Sequence, residues 1–290
     1  MTLAELVADT ERQLTHAGVS FGHGTTNARD EAAWLLLHAL GLPLDTDLGE
    51  ESWSNRPLAR ADKALIATLL KARIEQRQPT AYLTREAWLQ GVPFYVDERA
   101  IVPRSLIAEV LADGSIDPWL SDQTRRVLDL CTGNGSLAVL AALAWPEVQV
   151  DAADLSVEAL AVARINVEKH GLKDRIKPIE SDGLHNCPGP YDLILCNPPY
   201  VNVASMAALP AEFRAEPALA LAGGADGMDF IRALLRDAPT RMNEGAVLVL
   251  EIGHERTHFE AAFPRLNPVW LDTSAGGDQV LLLTCEALAP

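Results

Sequence analysis

Val127-Leu128-Asp129-Leu130-Cys131-Thr132-Gly133-Asn134-Gly135 decides the fold: a short apolar run containing one acid, a turn with two glycines, then the alanine-rich stretch from Ser136. An apolar run this short, broken by glycine, reads as a buried strand handing over to a helix. Outward from it the pattern repeats. Strands are expected over 148–153, 176–179, 191–196 and 246–252, with helices over 156–170 and 229–242. Strands alternating with helices imply right-handed crossovers and a mostly parallel sheet covered on both faces. The end departs from this rule. Val269-Trp270-Leu271 and Gln279-Val280-Leu281-Leu282-Leu283 flank Ser274-Ala275-Gly276-Gly277-Asp278, a hairpin signal, so the last strand is expected to run antiparallel.

Upstream, residues 1–80 read as a helical domain. Leu3, Leu6, Val7 and Leu14 follow helical spacing, and Asn27 suits the N-cap of a helix through Trp34 and Leu37 that stops at Gly41 and Pro43. Arg60 to Arg77 forms a third helix, with Leu65, Ile66, Leu69, Leu70 and Ile74 on one stripe. Residues 81–120 read as hairpin and linker: Trp88-Leu89, Gly91 and Phe94-Tyr95-Val96 make a short hairpin, and Ala100-Ile101-Val102 a further strand. Pro118 and Ser121-Asp122 open the third segment, 121–290, which carries the sheet.

Composition narrows the function. The chain has 290 residues, 48% hydrophobic and 22% charged, enough for a sizeable core and too apolar for wholesale disorder. Leu137 to Trp145, the longest apolar run, is too short to span a membrane, and the opening Met1 to Glu5 is amphipathic and not a signal peptide. A cytoplasmic protein is expected. Cys131, Cys187, Cys196 and Cys285 form no CxxC pair, which argues for reduced thiols over a zinc ribbon or a disulfide framework. The net charge is −16, both sides of residue 120 share it, and no basic cluster exceeds Arg125-Arg126. Duplex nucleic acid is disfavoured; a small molecule or a basic protein suits better.

Two stretches carry chemistry. Glycines at the first strand's carboxyl end let backbone approach a ligand closely, and Asp154, about twenty positions on, can accept both hydroxyls of a ribose. Gly133-Asn134-Gly135-Ser136-Leu137-Ala138 alone also matches a dinucleotide loop, or a plain tight turn. Asp129 would repel a pyrophosphate and suits a ligand bearing an ammonium group. The second stretch is Asn197-Pro198-Pro199-Tyr200, directly after a strand. Prolines lack an N–H and fix φ, so the turn is stiff. It can hold the Asn197 side-chain oxygen and the Pro198 carbonyl as paired acceptors for a planar NH2 group, with the Tyr200 ring alongside.

On these residues the sequence resembles the class I S-adenosylmethionine-dependent methyltransferases. Asp129 to Gly135 is similar to their cofactor loop, Asp154 to their ribose-binding acid, Ser181-Asp182-Gly183 to their adenine-edge segment, and Asn197 to Tyr200 to the NPPY motif of enzymes acting on planar nitrogen. Gln78 to Trp88, Phe94 to Arg99, Val102-Pro103-Arg104-Ser105, Glu212 to Pro217 and Gly223 to Gly227 narrow the resemblance to the protein glutamine N5-methyltransferases. Within them it resembles the branch acting on the third large-subunit ribosomal protein. Asn134 stands where Ser or Thr is more usual.

The resemblance implies an α/β fold: a Rossmann-like seven-stranded sheet, mostly parallel with an antiparallel last strand, behind a small helical domain and a β-hairpin. It implies S-adenosylmethionine as cofactor, S-adenosylhomocysteine as product, and a basic ribosomal protein as partner, with no duplex nucleic acid and no membrane. Cofactor binding would fall to Asp129, Cys131, Thr132, Gly133, Asn134, Gly135, Asp154, Asp182, Gly183 and Asn197. Asn197, Pro198 and Tyr200 would be catalytic; Pro199 and Arg104 would join them in binding substrate. A release-factor methyltransferase, or a nucleic-acid amino methyltransferase, is the alternative.

Other motifs are set aside. His254-Glu255-Arg256-Thr257-His258 is formally HExxH, but no third ligand follows, so no metal is expected and a strand-to-helix turn fits better. Trp34, Trp88 and Trp145 read as core anchors, and His170 and His185 as surface residues. Glu251, at a strand end, could face the site and receives no role.

Overall fold

The computed structural model describes residues 3–48 and 58–289; the first two residues of the amphipathic opening lie outside them. Two compact units emerge, one from Met1–Ala87 with Pro210–Ala215, the other from Trp88–Leu209 with Glu216–Pro290.

The first unit contains α1 (Leu3–Ala17), α2 (Ala28–Leu40), α3 (Arg60–Glu75) and the short α4 (Thr80–Thr84). Asn27 caps α2 as expected, its side chain accepting from the Asp30 N–H, and Gly41 ends it in the left-handed conformation. Leu3, Val7 and Leu14 pack with Leu35, Leu36, Ile66, Leu69 and Leu70 in one core. Leu65 is exposed, because it sits off the stripe that Ile66, Leu69 and Leu70 define. At the centre lies Arg73, 1% exposed. Its guanidinium donates to Glu31 through Nε, to Glu212 Oε1 at 3.0 Å and to the Ser20 carbonyl at 2.7 Å. Glu212 also accepts from the Ser20 N–H at 3.0 Å.

The second unit opens with the hairpin strand β2 (Val92–Phe94), paired with β1 (Ala87–Leu89). Trp88 is 42% exposed and so is no core anchor. His170 is half-buried, with Nε2 3.0 Å from the Pro93 carbonyl and its ring against Phe94, not a free surface residue. No strand forms at residues 100–102. The Val102 N–H instead donates to Glu216 Oε1 at 2.9 Å, which satisfies the donor without a ladder.

After α5 (Ile107–Asp113) the alternation begins: β3 (Arg126–Leu130), α6 (Ser136–Ala144), β4 (Gln149–Asp154), α7 (Val157–Lys169), β5 (Ile176–Glu180) and β6 (Tyr191–Cys196). Then come α8 (Val203–Ala208), α9 (Asp229–Asp237), β7 (Met242–Glu251), α10 (Arg256–Ala262), β8 (Val269–Thr273), β9 (Gly276–Thr284) and α11 (Cys285–Leu288). The seven strands lie in the order β5-β4-β3-β6-β7-β9-β8. β3 to β7 are mutually parallel, and β9 runs antiparallel to both neighbours, as expected. Helix 229–242 of the sequence reading ends earlier, at Asp237, followed by a 3-10 turn around Pro239.

Side chains alternate across the sheet. Val127, Leu193, Leu195, Val247 and Val249 meet α5 and α6 on one face. Leu128, Leu130, Ile194, Leu248 and Leu250 meet α9 and α10 on the other. Both faces are buried, so the strands read as unbroken apolar runs. Gly135 starts α6 at φ +81°, and a Cβ there would lie 3.1 Å from the Ala163 Cβ of α7, so glycine permits both the turn and the helix contact.

The Arg73 cluster is the testable feature of the helical unit. Arg73→Met removes the central cation and leaves Glu31 with Thr25 Oγ1 at 2.9 Å and Glu212 with the Ser20 N–H and Arg77 Nη1 at 3.3 Å. Loss of the buried charge partner should cost up to about 3–5 kcal/mol. Urea unfolding of the full chain checks this; a loss below about 1 kcal/mol would mean the carboxylates find other partners.

Candidate active site

The strand order dictates where a ligand sits. The chain runs outward from β3 through β4 to β5, then returns to place β6 on the other side of β3, with Leu130 paired to Cys196. Loops that follow β3 and β6 therefore diverge at one crevice, the position where open α/β sheets bind ligands. A cleft opens there, lined by Cys131, Gly133, Asp154, Asp182, Gly183, Asn197 and Pro199.

The loop after β3 is held from below. The Thr132 N–H donates to the Ala153 carbonyl at 3.0 Å, and the Gly133 N–H to Asp154 Oδ2 at 2.9 Å. Asp154 Oδ1 takes the Ser156 N–H at 2.8 Å. Each oxygen retains a second lone pair, so Asp154 can still accept two hydroxyls on its cleft side. Burial raises the Asp154 carboxyl above its ordinary value, and the backbone donors oppose that shift.

Asp129, expected to suit a ligand bearing an ammonium group, is held by the protein's own donors. It lies on the α6 side of the sheet, 0% exposed, and outside the cleft lining. Its Oδ2 accepts from Thr132 Oγ1 at 2.5 Å and from the Ala138 N–H at 2.9 Å. Ala138 is the third residue of α6, whose N-cap is a side-chain-free glycine. Asp129 thus supplies from the strand the acceptor that a Ser or Asp cap would provide. Oδ1 has no hydrogen-bond partner among the described residues. Burial pushes the carboxyl up to about 7, with the Thr132 and Ala138 donors pulling down and Asp154 pushing further up.

Asn134 and Gly135 also face inward. The Asn134 carbonyl accepts from Asn166 Nδ2 at 2.8 Å, and the same Asn166 amide donates to and accepts from the Tyr95 main chain. Thr132 is buried on Asp129. Of the turn after β6, Asn197 and Pro199 line the cleft; Pro198 is buried, and Tyr200 is half-buried with its hydroxyl 3.2 Å from Glu251 Oε1. Burial, then the Glu251 carboxylate, raise the Tyr200 phenol well above its ordinary value, so it remains a donor. A Cβ at Gly253 would lie 2.5 Å from the Tyr200 ring, and one at Gly227 2.3 Å from the Tyr200 carbonyl. Gly223 and Gly227 serve this close packing, whereas a Cβ at Gly224 would meet the Asp229 carboxylate. Arg104 is engaged: its fork holds Glu216 at 2.6 and 2.7 Å.

Sequence reasoning missed several lining residues: Arg99, Ala100 and Ile101, Leu155, and Leu219. Leu155 could have been found from its place beside Asp154. Ala100 and Ile101 read as part of a strand over 100–102, and Arg99 carries only the family resemblance, so neither pattern points to a cleft wall. At the HExxH segment Glu255 is buried and binds Asn202 Nδ2 at 2.7 Å and the His258 ring; the segment is a strand-to-helix turn. Among the described residues no group of three or more His, Cys, Asp or Glu could hold a metal, and no helix is long and apolar enough to cross a membrane.

Known proteins now bear on the cleft. The family described as Methyltransferase small domain matches residues 116–225. A protein of Bordetella pertussis named ribosomal protein uL3 glutamine methyltransferase is 53% identical over 290 residues, covering 99% of this chain and 96% of that one. The protein of the same name from Burkholderia pseudomallei is 48% identical over 297 residues, covering 99% and 95%. This chain belongs to the family of those ribosomal protein uL3 glutamine methyltransferases. Among solved structures, the hMettl16 catalytic domain in complex with a MAT2A 3′UTR hairpin shares the fold with a TM-score of 0.52 at 13% identity, covering 76% of this chain and 79% of that one. In this chain's sheet, both the loop on Asp154 and the turn at Asn197 sit at the switch point.

Asp129 gives a pH signature with a definite sign. Its ordinary value is 3.8 and its folded value about 7, so between these the folded state keeps a proton that the unfolded chain has released. Stability therefore falls as pH rises across that interval and is level above it. Urea titrations at a series of pH values should show wild type losing stability relative to Asp129→Asn from about pH 4 to about pH 7. Parallel curves would contradict the burial of an acid there.

Proposed function

We propose that this protein transfers a methyl group from S-adenosylmethionine to the side-chain amide nitrogen of a glutamine in ribosomal protein uL3. The observation that carries this reading is near-full-length identity of 53% to a protein of that name, joined to a cleft that brings Asp154, Gly133 and Asn197 together. The acidic balance of −16 suits a basic ribosomal partner, and a modifier of ribosomal proteins would act in the cytoplasm.

The cleft fits the cofactor by its donor set. Asp154 offers two carboxylate oxygens to ribose hydroxyls, Gly133 leaves room where a Cβ would meet nothing within 4 Å, and Asp182, Gly183 and Leu155 would border the adenine. Cys131 and Thr132 complete the loop, and Asp129, behind the cleft lining, would act through Thr132 and the start of α6. Asn134 and Gly135 would act through the shape of the loop. When bound, the cofactor supplies an electrophilic methyl on a sulfonium, so the protein needs no covalent intermediate.

The chain's own residues meet the harder demand. An amide nitrogen is a weak nucleophile because its lone pair is delocalised into the carbonyl. The Asn197 side-chain oxygen and the Pro198 carbonyl would accept the two N–H groups, orient the nitrogen, and stabilise positive charge as it develops. Pro199 would wall the cleft. Tyr200, kept protonated, would present its ring near the cationic centre and does not serve as base; the amide proton would leave to water. Arg104, bound to Glu216, would shape the substrate side through that pair and not through a free fork.

Incubating the enzyme with methyl-labelled cofactor, separated ribosomal proteins and release factors tests the reading. Label on a uL3 glutamine, located by mass spectrometry, is expected; label on a release factor alone, or on RNA alone, would overturn the substrate. Asn197→Ala should lower kcat about 10²–10³-fold while cofactor still binds.

A further inference from the structure

Two buried acids face one short segment without regular structure. Glu216 takes the Val102 N–H at 2.9 Å and both arms of Arg104. Immediately downstream, Glu251 takes Ser105 Oγ at 2.6 Å and the Leu106 N–H at 2.9 Å, both on Oε2. Its other oxygen, Oε1, accepts the Tyr200 hydroxyl at 3.2 Å. One carboxylate, 4% exposed, therefore ties the Ser105-Leu106 step to the last residue of the Asn197–Tyr200 turn. Glu251 ends β7, one residue beyond Leu250, which pairs with Cys196 at the foot of that turn.

A buried carboxylate is costly unless its lone pairs are filled. Burial raises this one above its ordinary value, while Ser105, Tyr200 and Leu106 lower it. All three donors are neutral, so the acid gains direction more than charge pairing from them. An apolar side chain could fill the space at less cost but could not fix Tyr200 and Ser105 together. Gly253 closes on the Tyr200 ring and Gly227 on its carbonyl, and within that packing the hydroxyl gives β7 a polar hold on the ring's rotation.

We propose that Glu251 is a positioning residue for methyl transfer: its two carboxylate oxygens lock the Tyr200 hydroxyl to the Ser105-Leu106 step and so fix the orientation of the Asn197–Tyr200 turn. The inference rests on the reading of that turn as the amide-binding element.

Steady-state kinetics with uL3, calorimetry with S-adenosylhomocysteine, and thermal unfolding test it on Glu251→Ala, Glu251→Gln, Tyr200→Phe and the Glu251→Ala/Tyr200→Phe double variant. Glu251→Ala should lower kcat about tenfold or more, because sub-ångström misplacement is expensive, with product affinity within about twofold. The double variant should be no slower than the slower single one, since both remove the same link. Glu251→Gln should recover most of the rate, because its oxygen can accept from Ser105 while its NH2 donates to Tyr200. Unchanged kcat in Glu251→Ala, losses that multiply, or an equal loss in product affinity would overturn the proposal. If Glu251→Ala does not fold, Ser105→Ala replaces it, with a fall in kcat expected and unchanged turnover overturning. Asn197→Ala runs alongside: wild-type turnover there defeats the reading of the turn, whereas a dead Asn197→Ala beside a fully active Glu251→Ala defeats the positioning role alone.

Discussion

The adjacency of β3 and β6 is the constraint on which the rest depends. Parallel strands need crossovers, and here the crossovers run outward from β3 to β5 before the chain returns beside β3. Both loops that matter must then leave the same sheet edge. The Leu130–Cys196 register sets Cys131 and Asn197 one residue past that edge on neighbouring strands. No side chain needs to pull the cofactor loop and the diproline turn together, because backbone pairing has already done so.

Around that edge, buried and half-buried acids organise backbone. Asp129 caps α6 from inside the sheet, Asp154 holds the loop at Gly133, and Glu216 and Glu251 fix residues 102–106. In the helical unit Glu31 and Glu212 share Arg73. Each acid is costly to bury alone and affordable with fixed donors. The consequence is rigidity where a weak nucleophile must be aimed.

Much of this was legible in the sequence. Every sheet strand from β3 to β9 is placed within a few residues, the central β3, β6, β7 and β9 because both faces are covered and the runs are short and apolar. The Asp154 spacing and the Asn197–Tyr200 turn were visible for the same reason: they sit where strands end. Other features were not. Residues 100–102 look like a strand but spend the Val102 N–H on Glu216, more than a hundred positions away. Asp129 reads as suited to an ammonium-bearing ligand; that it accepts from Thr132 and Ala138 is visible only in the register of β3 under α6. Arg104, which the resemblance places in substrate binding, is held by Glu216, a partner that no local pattern gives. Local pattern shows where elements lie; it does not show which distant carboxylate a donor will meet.

A crystal structure grown with S-adenosylhomocysteine addresses the central claim most directly. The account predicts density for its ribose on the Asp154 carboxylate and its sulfur directed toward Asn197, with the 197–200 turn unmoved. Product bound at another edge of the sheet, or a turn that rebuilds to admit it, would contradict the account.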